Sequence, residues 1–404
     1  MSKVTVLGGC GAVGSVAVRT LASTDVFSDI VIGDVNIEIA NKLAKELGDK
    51  VSAVKVDANN PESIKAAIKG SDVVLNCIGP FYKYGPTIMK ATIESGINYV
   101  DVCDDFDATE KLLAMDEDAK KAGVSCLIGM GSSPGIANVL IRFCADMVLA
   151  EVDSIDIYHA HGGEEVEGPA VVKHRIHSMS IPIPVFDNGK FLRVNMFDET
   201  GRAYEETTEF RDVGTYDVYL YPHPETITLP KYIKGVKRVT NLGLVLPPKY
   251  AELIKNTVKS HMDKGELQGE ELDSAVSYIL SKREELLKEA GITEPIGCLK
   301  IVIKGRNEAG KDRTYIFSMS SRGHGMGEGT GIPAALGTIL MGMGKITKKG
   351  VLPPEGCVDP IDMLNIAKDV VKMEEVKGRS GLPIVIEKID ENGNKEEIDI
   401  AGML

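Results

Sequence analysis

The chain has 404 residues, of which 43% are hydrophobic and 26% charged, a composition typical of a globular enzyme with two or three domains. Its formal charge of −13 argues against nucleic acid as a partner, because binding a polyanion requires clustered cations. No apolar run is long enough to cross a bilayer, no signal-peptide pattern is present, and the seven cysteines stand singly, so a cytoplasmic location is expected.

The N-terminal third is predicted to alternate strands and helices with short connections. Predicted strands cover residues 4–7, 30–33, 51–56, 73–78, 99–102 and 125–129. Predicted helices cover residues 15–21, 37–47, 61–69, 86–94 and 109–122. This alternation is typical of a parallel sheet covered on both faces, so the predicted fold class is α/β with a Rossmann dinucleotide-binding domain.

The first predicted strand runs into a glycine motif that favours phosphate binding. The motif is G-x-G-x-x-G at Gly9, Gly11 and Gly14, with Ala12 and Val13 between its second and third glycines as further expected cofactor contacts. In such motifs the first glycine permits a tight turn, the second lets the backbone approach a pyrophosphate, and the third lets the helix pack on the strand. The helix start adds free N–H groups and a favourable dipole. The motif predicts a dinucleotide site; the alternative is a nucleotide-free Rossmann-like domain whose glycines serve only packing.

An acidic residue indicates which dinucleotide is bound. Asp34 stands twenty residues after Gly14, at the end of the second predicted strand. A carboxylate there accepts hydrogen bonds from the ribose hydroxyls of NAD and repels the additional phosphate of NADP. NAD is therefore the predicted cofactor, and NADP is less favoured.

After residue 129 the predicted elements change in character. Predicted β-type segments include residues 154–161, 171–179, 185–195 and 236–241, followed by two helices within 249–290 that break near 265–269. Residues 299–304 and 314–319 are predicted to pair as a hairpin, and residues 382–388 and 396–400 as a terminal hairpin. The middle of the chain is thus predicted to form an antiparallel sheet with helices on one face. The predicted domains are residues 1–130 for the dinucleotide, completed by about 325–370, residues 131–324 as an α+β substrate domain, and a C-terminal hairpin at 376–404.

Several short segments together resemble the saccharopine dehydrogenase family, and especially its lysine 6-dehydrogenase branch. The segments are Val73-Val74-Leu75-Asn76-Cys77-Ile78-Gly79-Pro80-Phe81, Tyr99-Val100-Asp101-Val102, Gly131-Ser132-Ser133-Pro134-Gly135-Ile136-Ala137-Asn138 and Thr330-Gly331-Ile332-Pro333-Ala334. The resemblance covers the chain from residue 3 to about residue 360. It implies a Rossmann domain interrupted by a middle α+β domain used for substrate binding or dimerisation, and a homo-oligomer, dimeric or higher.

The resemblance also implies hydride transfer between a nicotinamide and the carbon of an amine or imine. The leading hypothesis is NAD-dependent oxidative deamination of the L-lysine 6-dehydrogenase type, acting on an amino acid or polyamine. The alternative within enzymes is a saccharopine or carboxynorspermidine dehydrogenase, and the alternative outside them is a non-catalytic NAD-binding protein. Loss of a proton from the amine requires at least one acid–base group.

Further cofactor contacts are expected beyond the glycine motif. Asp57, followed by Ala58, ends the third predicted strand, where it could bond an adenine amino group or cap the next helix. Cys77 lies near the end of the fourth predicted strand, and Gly79 and Pro80 follow that strand, where the backbone passes the nicotinamide half in this topology. A simple strand-ending turn is the alternative.

Candidate catalytic residues are Asp104, Tyr84 and Asp101. The run from Asp101 to Asp105 is the densest acidic cluster and ends the fifth predicted strand, at the edge where α/β sheets bind ligands. Crowded carboxylates raise one another's pKa, which suits a proton carrier or an ammonium clamp, whereas helix capping is the alternative. Asp104 resembles the family's acidic substrate-side residue, and Tyr84 its loop tyrosine.

Candidate substrate-binding residues are spread along the chain. The turn at Ser133 is predicted to open a helix with Pro134 in its first turn, and Asn138 faces the same turn. Its N–H groups could hold a substrate carboxylate or close over the nicotinamide, and a capped helix that crosses between domains is the alternative. Polar or cationic side chains that could orient a charged amino acid complete the set: His174, His177, Arg211, Arg322 and Thr330. Surface salt bridges are the alternative for the two arginines.

The histidines of the middle domain are not predicted to bind metal. His159 and His161 alternate onto one strand face, and His174, His177 and His223 follow. No H-E-x-x-H pattern or cysteine partner accompanies them, so the prediction is no metal.

Overall fold

A computed structural model describes residues 2–164, 167–262, 265–370 and 384–400. The chain divides into two compact units. The first comprises Met1–Leu140 and Met326–Lys372, and the second comprises Ile141–Gly325 and Met373–Leu404.

The strands in chain order are β1 (Lys3–Leu7), β2 (Asp29–Asp34), β3 (Val51–Lys55), β4 (Val73–Asn76), β5 (Asn98–Asp101), β6 (Ser125–Leu127), β7 (Glu151–Gly162), β8 (Ile183–Asp187), β9 (Lys190–Val194), β10 (Glu206–Phe210), β11 (Gly214–Leu220), β12 (Arg238–Leu246), β13 (Ile296–Arg306), β14 (Asp312–Arg322), β15 (Gly350–Leu352), β16 (Ile384–Ile389) and β17 (Lys395–Ile398). The helices are α1 (Ala12–Ala22), α2 (Ile37–Leu47), α3 (Pro61–Ile68), α4 (Phe81–Glu94), α5 (Phe106–Leu113), α6 (Asp116–Ala122), α7 (Ile136–Met147), α8 (Pro169–Ser180), α9 (Glu199–Arg202), α10 (Glu225–Tyr232), α11 (Pro248–Lys259), α12 (Gly269–Glu289), α13 (Met326–Gly342), α14 (Pro354–Cys357) and α15 (Pro360–Val370).

The first unit is built on a parallel sheet in the order β15-β6-β5-β4-β1-β2-β3. The central strands are short and apolar because helices cover both faces, as in β4, whose four residues are all buried. The strand order reverses between β1 and β4, where Leu7 lies beside Asn76. This reversal is the switch point at which α/β sheets bind ligands outside their carboxyl ends. The predicted α/β class is confirmed.

The late segment of the chain completes the first unit. β15 pairs in parallel with β6, and α13 packs against α1 through glycines. A Cβ on Gly331 would lie 2.5 Å from the carbonyl oxygen of Val13, and one on Gly327 would lie 3.0 Å from that of Ala12. The helices can approach this closely only because both positions lack side chains.

The second unit is built on a mixed sheet in the order β10-β11-β12-β7-β13-β14-β16-β17, with the hairpin β8–β9 joined to β12. The expectation of an antiparallel middle sheet is wrong at one pair, because β12 and β7 are parallel. The predicted hairpins are present as β13–β14 and β16–β17, and β16 extends the sheet by pairing with β14. The predicted pair of helices in 249–290 is also present, as α11 and α12.

Three predicted elements differ in the structure. Residues 171–179 form helix α8 and not a strand: Pro169 occupies its first turn, and its β-branched residues pack on the core of the unit. Residues 109–122 are two helices, α5 and α6, separated at Ala114 and Met115. Helix α4 begins at Phe81, so Pro86 lies inside the helix and does not start it.

None of the described helices is both long enough and apolar enough to span a membrane.

Candidate functional site

The turn after β1 has the shape that the glycine motif requires, with one change of role. Gly8, with φ of +76°, takes the left-handed conformation of the tight turn, so the assignment of that role to Gly9 was wrong. Gly9 instead provides space, since a Cβ there would lie 2.9 Å from Cγ2 of Ile32. A Cβ on Gly14 would lie 2.1 Å from the carbonyl oxygen of Gly8, as expected for close packing of helix on strand.

Gly11 and the start of α1 fit a pyrophosphate. Gly11 is exposed, and a Cβ there would make only an ordinary contact of 3.5 Å with the carbonyl oxygen of Gly8. The protein therefore supplies no steric reason for this glycine, whereas a ligand lying against the backbone would. Within the described residues α1 has no side-chain cap at Gly11, which leaves the N–H groups of Ala12 and Val13 for an anion.

Asp34 lies at the carboxyl end of β2 and contacts the glycine turn. Its Oδ2 accepts a hydrogen bond of 3.0 Å from the backbone N–H of Cys10, and its Oδ1 accepts one of 3.0 Å from that of Asn36. Each carboxylate oxygen keeps acceptor capacity for a ribose hydroxyl. The neighbouring Val35 is 70% exposed.

The segment after β4 lies beside the glycine turn at the switch point. The backbone N–H of Cys77 donates to the carbonyl of Leu7 at 2.8 Å, and Gly79–Pro80 is a cis peptide. A Cβ on Gly79 would meet nothing within 4 Å among the described residues. The predicted contact of Cys77, Gly79 and Pro80 with a cofactor stays a prediction.

Asp57 and Ala58 follow β3, where the carboxylate of Asp57 is exposed and accepts hydrogen bonds from Asn59. The alternative of helix capping is wrong for Asp57, because the side chain of Asn60 caps α3. The adenine contact remains a prediction.

Asp101 ends β5 as a fully buried carboxylate. Its Oδ1 accepts hydrogen bonds from the backbone N–H groups of Gly129 (2.7 Å) and Cys103 (3.0 Å). Burial raises the pKa of Asp101 to about 6 against the opposing effect of these bonds, and the nearby charge of Asp104 raises it further. The neighbouring carboxylate of Asp104 thus contributes to the raised pKa of Asp101, but burial is the larger cause.

The rest of the acidic run follows Asp101 along the chain. Asp104 is half-buried in the short connection between β5 and α5. Asp105 stands at the N-cap position of α5 without a side-chain cap bond; its Oδ2 instead accepts from the backbone N–H of Tyr82 at 2.9 Å, in the first turn of α4. Cys103 is buried, and burial raises the pKa of its thiol, which disfavours the thiolate that a nucleophile requires.

Tyr84 lies in the first turn of α4 and not in a loop. Its ring carries the Lys83 ammonium at 4.8 Å from the centroid. A helical position fixes the direction of this side chain more firmly than a loop would. Its catalytic role remains a prediction.

The turn at Ser133 differs from expectation. The Ser133–Pro134 peptide is cis and α7 begins only at Ile136, so Pro134 precedes the helix. The N–H groups at the helix start are already used: Gly135 donates to Oδ1 of Asn138 at 2.9 Å, and Ile136 donates to the carbonyl of Gly131. The proposed carboxylate site on free N–H groups is therefore wrong.

Asn138 acts as a structural link in this unit. It is fully buried, and its Nδ2 donates to Oε2 of Glu355 at 2.9 Å. Thr330, on α13, lies against the same turn, since a Cβ on Gly131 would meet its Cγ2 at 3.0 Å. Both residues shape the turn at Ser133, and their contact with a substrate remains a prediction.

The second unit holds a cluster of polar side chains around Tyr221, here called the Tyr221 cluster. The hydroxyl of Tyr221 lies 2.8 Å from Nε2 of His161, and its ring stacks on that of His159 with centroids 4.7 Å apart. His223 packs against both rings, at 4.9 Å from Tyr221 and 5.1 Å from His159. The alternation predicted for His159 and His161 on β7 thus brings both histidines to one face.

His159 and His161 each have a further polar neighbour beside Tyr221. Oδ1 of Asn241 lies 2.6 Å from Nε2 of His159, and its Nδ2 donates to the fully buried Glu225 at 3.0 Å. Oε1 of Glu164 lies 3.6 Å from Nδ1 of His161. Asn241 therefore orients His159 through a hydrogen bond, whereas Glu164 lies at ion-pair distance from His161.

A buried ion-pair network borders the Tyr221 cluster. Arg175 bonds to Glu167, which also accepts from the hydroxyl of Tyr250. The guanidinium of Arg283 lies 3.5 Å from Glu167 and 3.7 Å from Glu164. Partners of both signs explain why the charges tolerate burial.

The remaining predicted substrate residues of the second unit have protein partners. His177 bonds to Glu266, and the ring of His174 lies 6.3 Å from that of His223. Arg211 pairs with Glu397 at 3.0 Å, and Arg322 with Glu294 at 3.4 Å. For both arginines the structure shows the salt bridge that was the alternative to a carboxylate fork.

The chain is similar in sequence and in fold to several known proteins. Residues 4–127 match the family described as "Saccharopine dehydrogenase NADP binding domain". The chain is 23% identical over 379 residues to carboxyaminopropylagmatine dehydrogenase of Synechocystis, covering 88% of this chain and 92% of that protein. It is 22% identical to carboxynorspermidine synthase of Vibrio cholerae, covering 91% and 96%. The solved structure of apo saccharopine dehydrogenase (L-Glu forming) from Saccharomyces cerevisiae superposes with a TM-score of 0.68 at 15% identity, covering 98% of this chain and all of that one.

The predicted resemblance to the saccharopine dehydrogenase family is confirmed, since residues 4–127 match its dinucleotide-binding domain. The chain is an NAD(P)-binding oxidoreductase. The two relatives are named for carboxylated polyamines. Their names favour the alternative hypothesis, a saccharopine or carboxynorspermidine dehydrogenase, over the leading hypothesis of a lysine 6-dehydrogenase.

Several residues of the Tyr221 cluster were missed by sequence reasoning. They are Tyr221, Glu164, Glu225 and Asn241. Tyr221 is sixty residues from His161 along the chain, and no motif links them. The available signal was Glu164, three residues after His161 at the end of a strand.

Proposed function

We propose that the chain is an NAD-dependent oxidoreductase that makes or breaks a C–N bond in a carboxylated polyamine. The class of substrate is supported by the relatives with near-complete coverage, whose names denote a carboxylated aminopropyl agmatine and a carboxylated norspermidine. Such molecules carry several ammonium groups and one carboxylate.

The observation that carries the proposal is the exposed, uncapped start of α1 behind Gly11, at the switch point between β1 and β4. Gly8 and Gly14 hold this turn in shape, and Gly11 leaves room for a pyrophosphate. A nicotinamide dinucleotide bound there would supply hydride exchange with carbon.

The acidic end of β5 suits a polyamine. The half-buried Asp104 and the buried Asp101 place carboxyl groups where α/β sheets bind their ligands. We propose that Asp104 holds an ammonium group of the substrate, because opposite charges within a few ångströms attract strongly in a partly desolvated site. The chain's overall charge of −13 also favours the approach of a polycation.

The proposed preference for NAD rests on Asp34. Its two carboxylate oxygens are held by the N–H groups of Cys10 and Asn36, so the negative charge is fixed at the end of β2. A fixed carboxylate accepts bonds from ribose hydroxyls and repels a ribose phosphate.

The proposal is tested by following reduction of NAD and of NADP by absorbance with a panel of substrates. The panel contains carboxynorspermidine, carboxyaminopropylagmatine, saccharopine and L-lysine. We expect turnover with a carboxylated polyamine and NAD. The matched control is Gly11→Val, which we expect to abolish cofactor binding because its side chain would fill the space left for the pyrophosphate.

Each other outcome has a defined meaning. Turnover of lysine alone would restore the lysine 6-dehydrogenase hypothesis, and turnover of saccharopine alone would assign that substrate. Binding of NAD without turnover of any amine would indicate a non-catalytic NAD-binding protein.

A further inference from the structure

Three side chains of the Tyr221 cluster form a line from carboxylate to imidazole to phenol. Glu164 lies 3.6 Å from Nδ1 of His161, and Nε2 of His161 lies 2.8 Å from the hydroxyl of Tyr221. A base oriented by a carboxylate and bonded to a hydroxyl is the arrangement by which proteins activate weak proton-transfer groups. The binding of cofactor in the first unit does not explain this line.

We propose that Tyr221, backed by His161 and Glu164, is an acid–base site of the second unit that takes a proton from an ammonium group of an amine ligand. The inference rests on the proposed function, in which the substrate is an amine. In the step, an O–H bond forms at the Tyr221 phenolate as one N–H bond of the ammonium breaks. The nitrogen keeps the electron pair, so phenolate and ammonium become phenol and neutral amine.

The charges around Tyr221 favour its ionised form. Burial opposes ionisation, but the positive charges of His161 and Arg175 outweigh it and lower the pKa of Tyr221. Burial would likewise lower the pKa of His161, yet Tyr221 and Glu164 raise it to about 9, so this imidazole is protonated at neutral pH. Glu164 stays ionised, with a pKa of about 2: burial works against the ionised form and is outweighed by His161.

The other groups facing Tyr221 do not reverse this balance. Burial lowers the pKa of His159 to about 3, so the stacked ring is neutral. The remaining neighbours are His174 and His223, whose rings lie in the same cluster, and Tyr219, a phenol with a raised pKa. A protonated His161 donates its Nε2–H to the phenol oxygen. The hydroxyl proton of Tyr221 then points away from this hydrogen bond.

The geometry also fixes the position of Tyr221. The residue is half-buried, whereas its stacking partner His159 is only 8% exposed. The bond from His159 to Asn241, and from Asn241 to Glu225, holds the stacked ring in place. The orientation of the phenol is therefore set by both histidines.

The first test measures ionisation directly and needs no activity. Phenolate absorbance is titrated with pH in the full-length protein and in Tyr221→Phe, and the difference gives the ionisation of Tyr221 alone. We expect it to ionise below the ordinary tyrosine range, and His161→Gln to move its ionisation upward. Tyr219→Phe is the matched control, because it removes a neighbouring hydroxyl and leaves the bond between Tyr221 and His161 in place. Its titration should still show a tyrosine that ionises below the ordinary range.

The second test asks whether the site responds to an amine. Norspermidine or agmatine added to the wild-type protein and to Tyr219→Phe should change the phenolate absorbance, and Tyr221→Phe should show no change. With a turned-over substrate, Tyr221→Phe should lower kcat by roughly 100-fold, a typical contribution of acid–base catalysis. His161→Gln should shift the pH profile of kcat to higher pH.

The proposal is overturned if Tyr221 ionises only in the ordinary range, or if added amine leaves its absorbance unchanged. An unaltered pH profile in His161→Gln would do the same. If no amine on the panel is turned over, the proposed function fails, while the absorbance titrations still decide the acid–base site.

Discussion

Asp101 shows how a single buried group makes stability depend on pH. Because its pKa is about 6 in the folded state and 3.8 ordinarily, the folded chain holds this proton more tightly than the unfolded chain. The protonated form therefore stabilises the fold fully below the ordinary value, and this stabilisation is lost as the pH rises through about 6. The shift corresponds to about 3 kcal/mol.

We expect Asp101→Asn to remove this dependence. An asparagine keeps an oxygen that accepts from Gly129 and Cys103 but carries no charge at any pH. Urea unfolding of both proteins should be measured from below the ordinary pKa of 3.8 to above pH 6. The free energy of unfolding of the variant should rise relative to that of the wild type as the pH rises. A difference in midpoint that stays constant with pH would contradict the assignment.

Cofactor preference is also decided at single residues. Replacing Asp34 by Ser and Val35 by Arg should lower NAD affinity by roughly 10-fold or more, since a hydrogen bond to a charged group contributes about 1.5–3 kcal/mol. The same change should raise NADP affinity, because the 70% exposed position of Val35 gives an arginine access to a ribose phosphate without burying it. Dissociation constants for both cofactors measure the effect.

Val35→Arg alone serves as the control for this pair. This variant keeps the carboxylate of Asp34, so its cofactor preference should shift toward NADP less than that of the double variant. A wild-type protein that already prefers NADP would show the assignment of Asp34 to be wrong.

At the scale of elements, the crossing of α1 and α13 depends on the absence of side chains. Gly331→Ala would place a Cβ 2.5 Å from the carbonyl of Val13. Overpacking of this kind costs typically 1–3 kcal/mol, and here it would also displace the helix whose start forms the proposed phosphate site. We expect a lower unfolding midpoint together with weaker cofactor binding.

Gly329→Ala is the matched control two residues earlier in α13. A Cβ there meets nothing within 4 Å among the described residues, so the change should raise stability by roughly 0.5–1 kcal/mol through helix propensity. Equal effects of the two substitutions would refute the close crossing. Unfolding curves and cofactor titrations separate the two cases.

Local patterns predicted most elements but failed where two patterns compete. Helix α2 was predicted with the bounds it has, because its apolar positions repeat with helical period and Asn36 caps it. Helix α8 was predicted as a strand because Val171, Val172 and Ile176 favour strands, although Pro169 was a helix-start signal. Pro86 misled in the opposite way, since a proline six residues into a helix resembles a helix start.

The site was predictable only where its chemistry is local in sequence. The glycine turn and Asp34 lie within one βαβ unit, so their spacing reports their geometry. Tyr221 and His161 are bonded to each other but lie in distant segments of the chain. Their contact could not be predicted, because no short-range pattern indicates which side chains a sheet brings together. The bond by which the side chain of Asn138 uses the N–H group of Gly135 was likewise not predicted, because no sequence pattern reports it.

At the scale of the whole molecule, the cofactor-binding unit is made from two separated stretches of chain. A chain ending at Gly325 lacks both α13 and β15, whereas one ending at Val370 keeps them. We expect the longer chain to bind NAD and the shorter one to lose binding and precipitate, since the faces covered by α13 and β15 would be exposed. Cofactor titration and sedimentation of the two truncated proteins check this expectation, which NAD binding by the shorter chain would contradict.

The order of these stretches has a consequence during synthesis. The first 140 residues leave the ribosome while residues 141–325 are still to be made, an interval of roughly 10 to 40 s at ordinary elongation rates. Throughout that time the edge of β6 has no neighbour, because its partner β15 does not yet exist. The nascent sheet must therefore be kept from pairing with other chains until its last strand arrives, and slower translation of the middle segment would lengthen its dependence on chaperones.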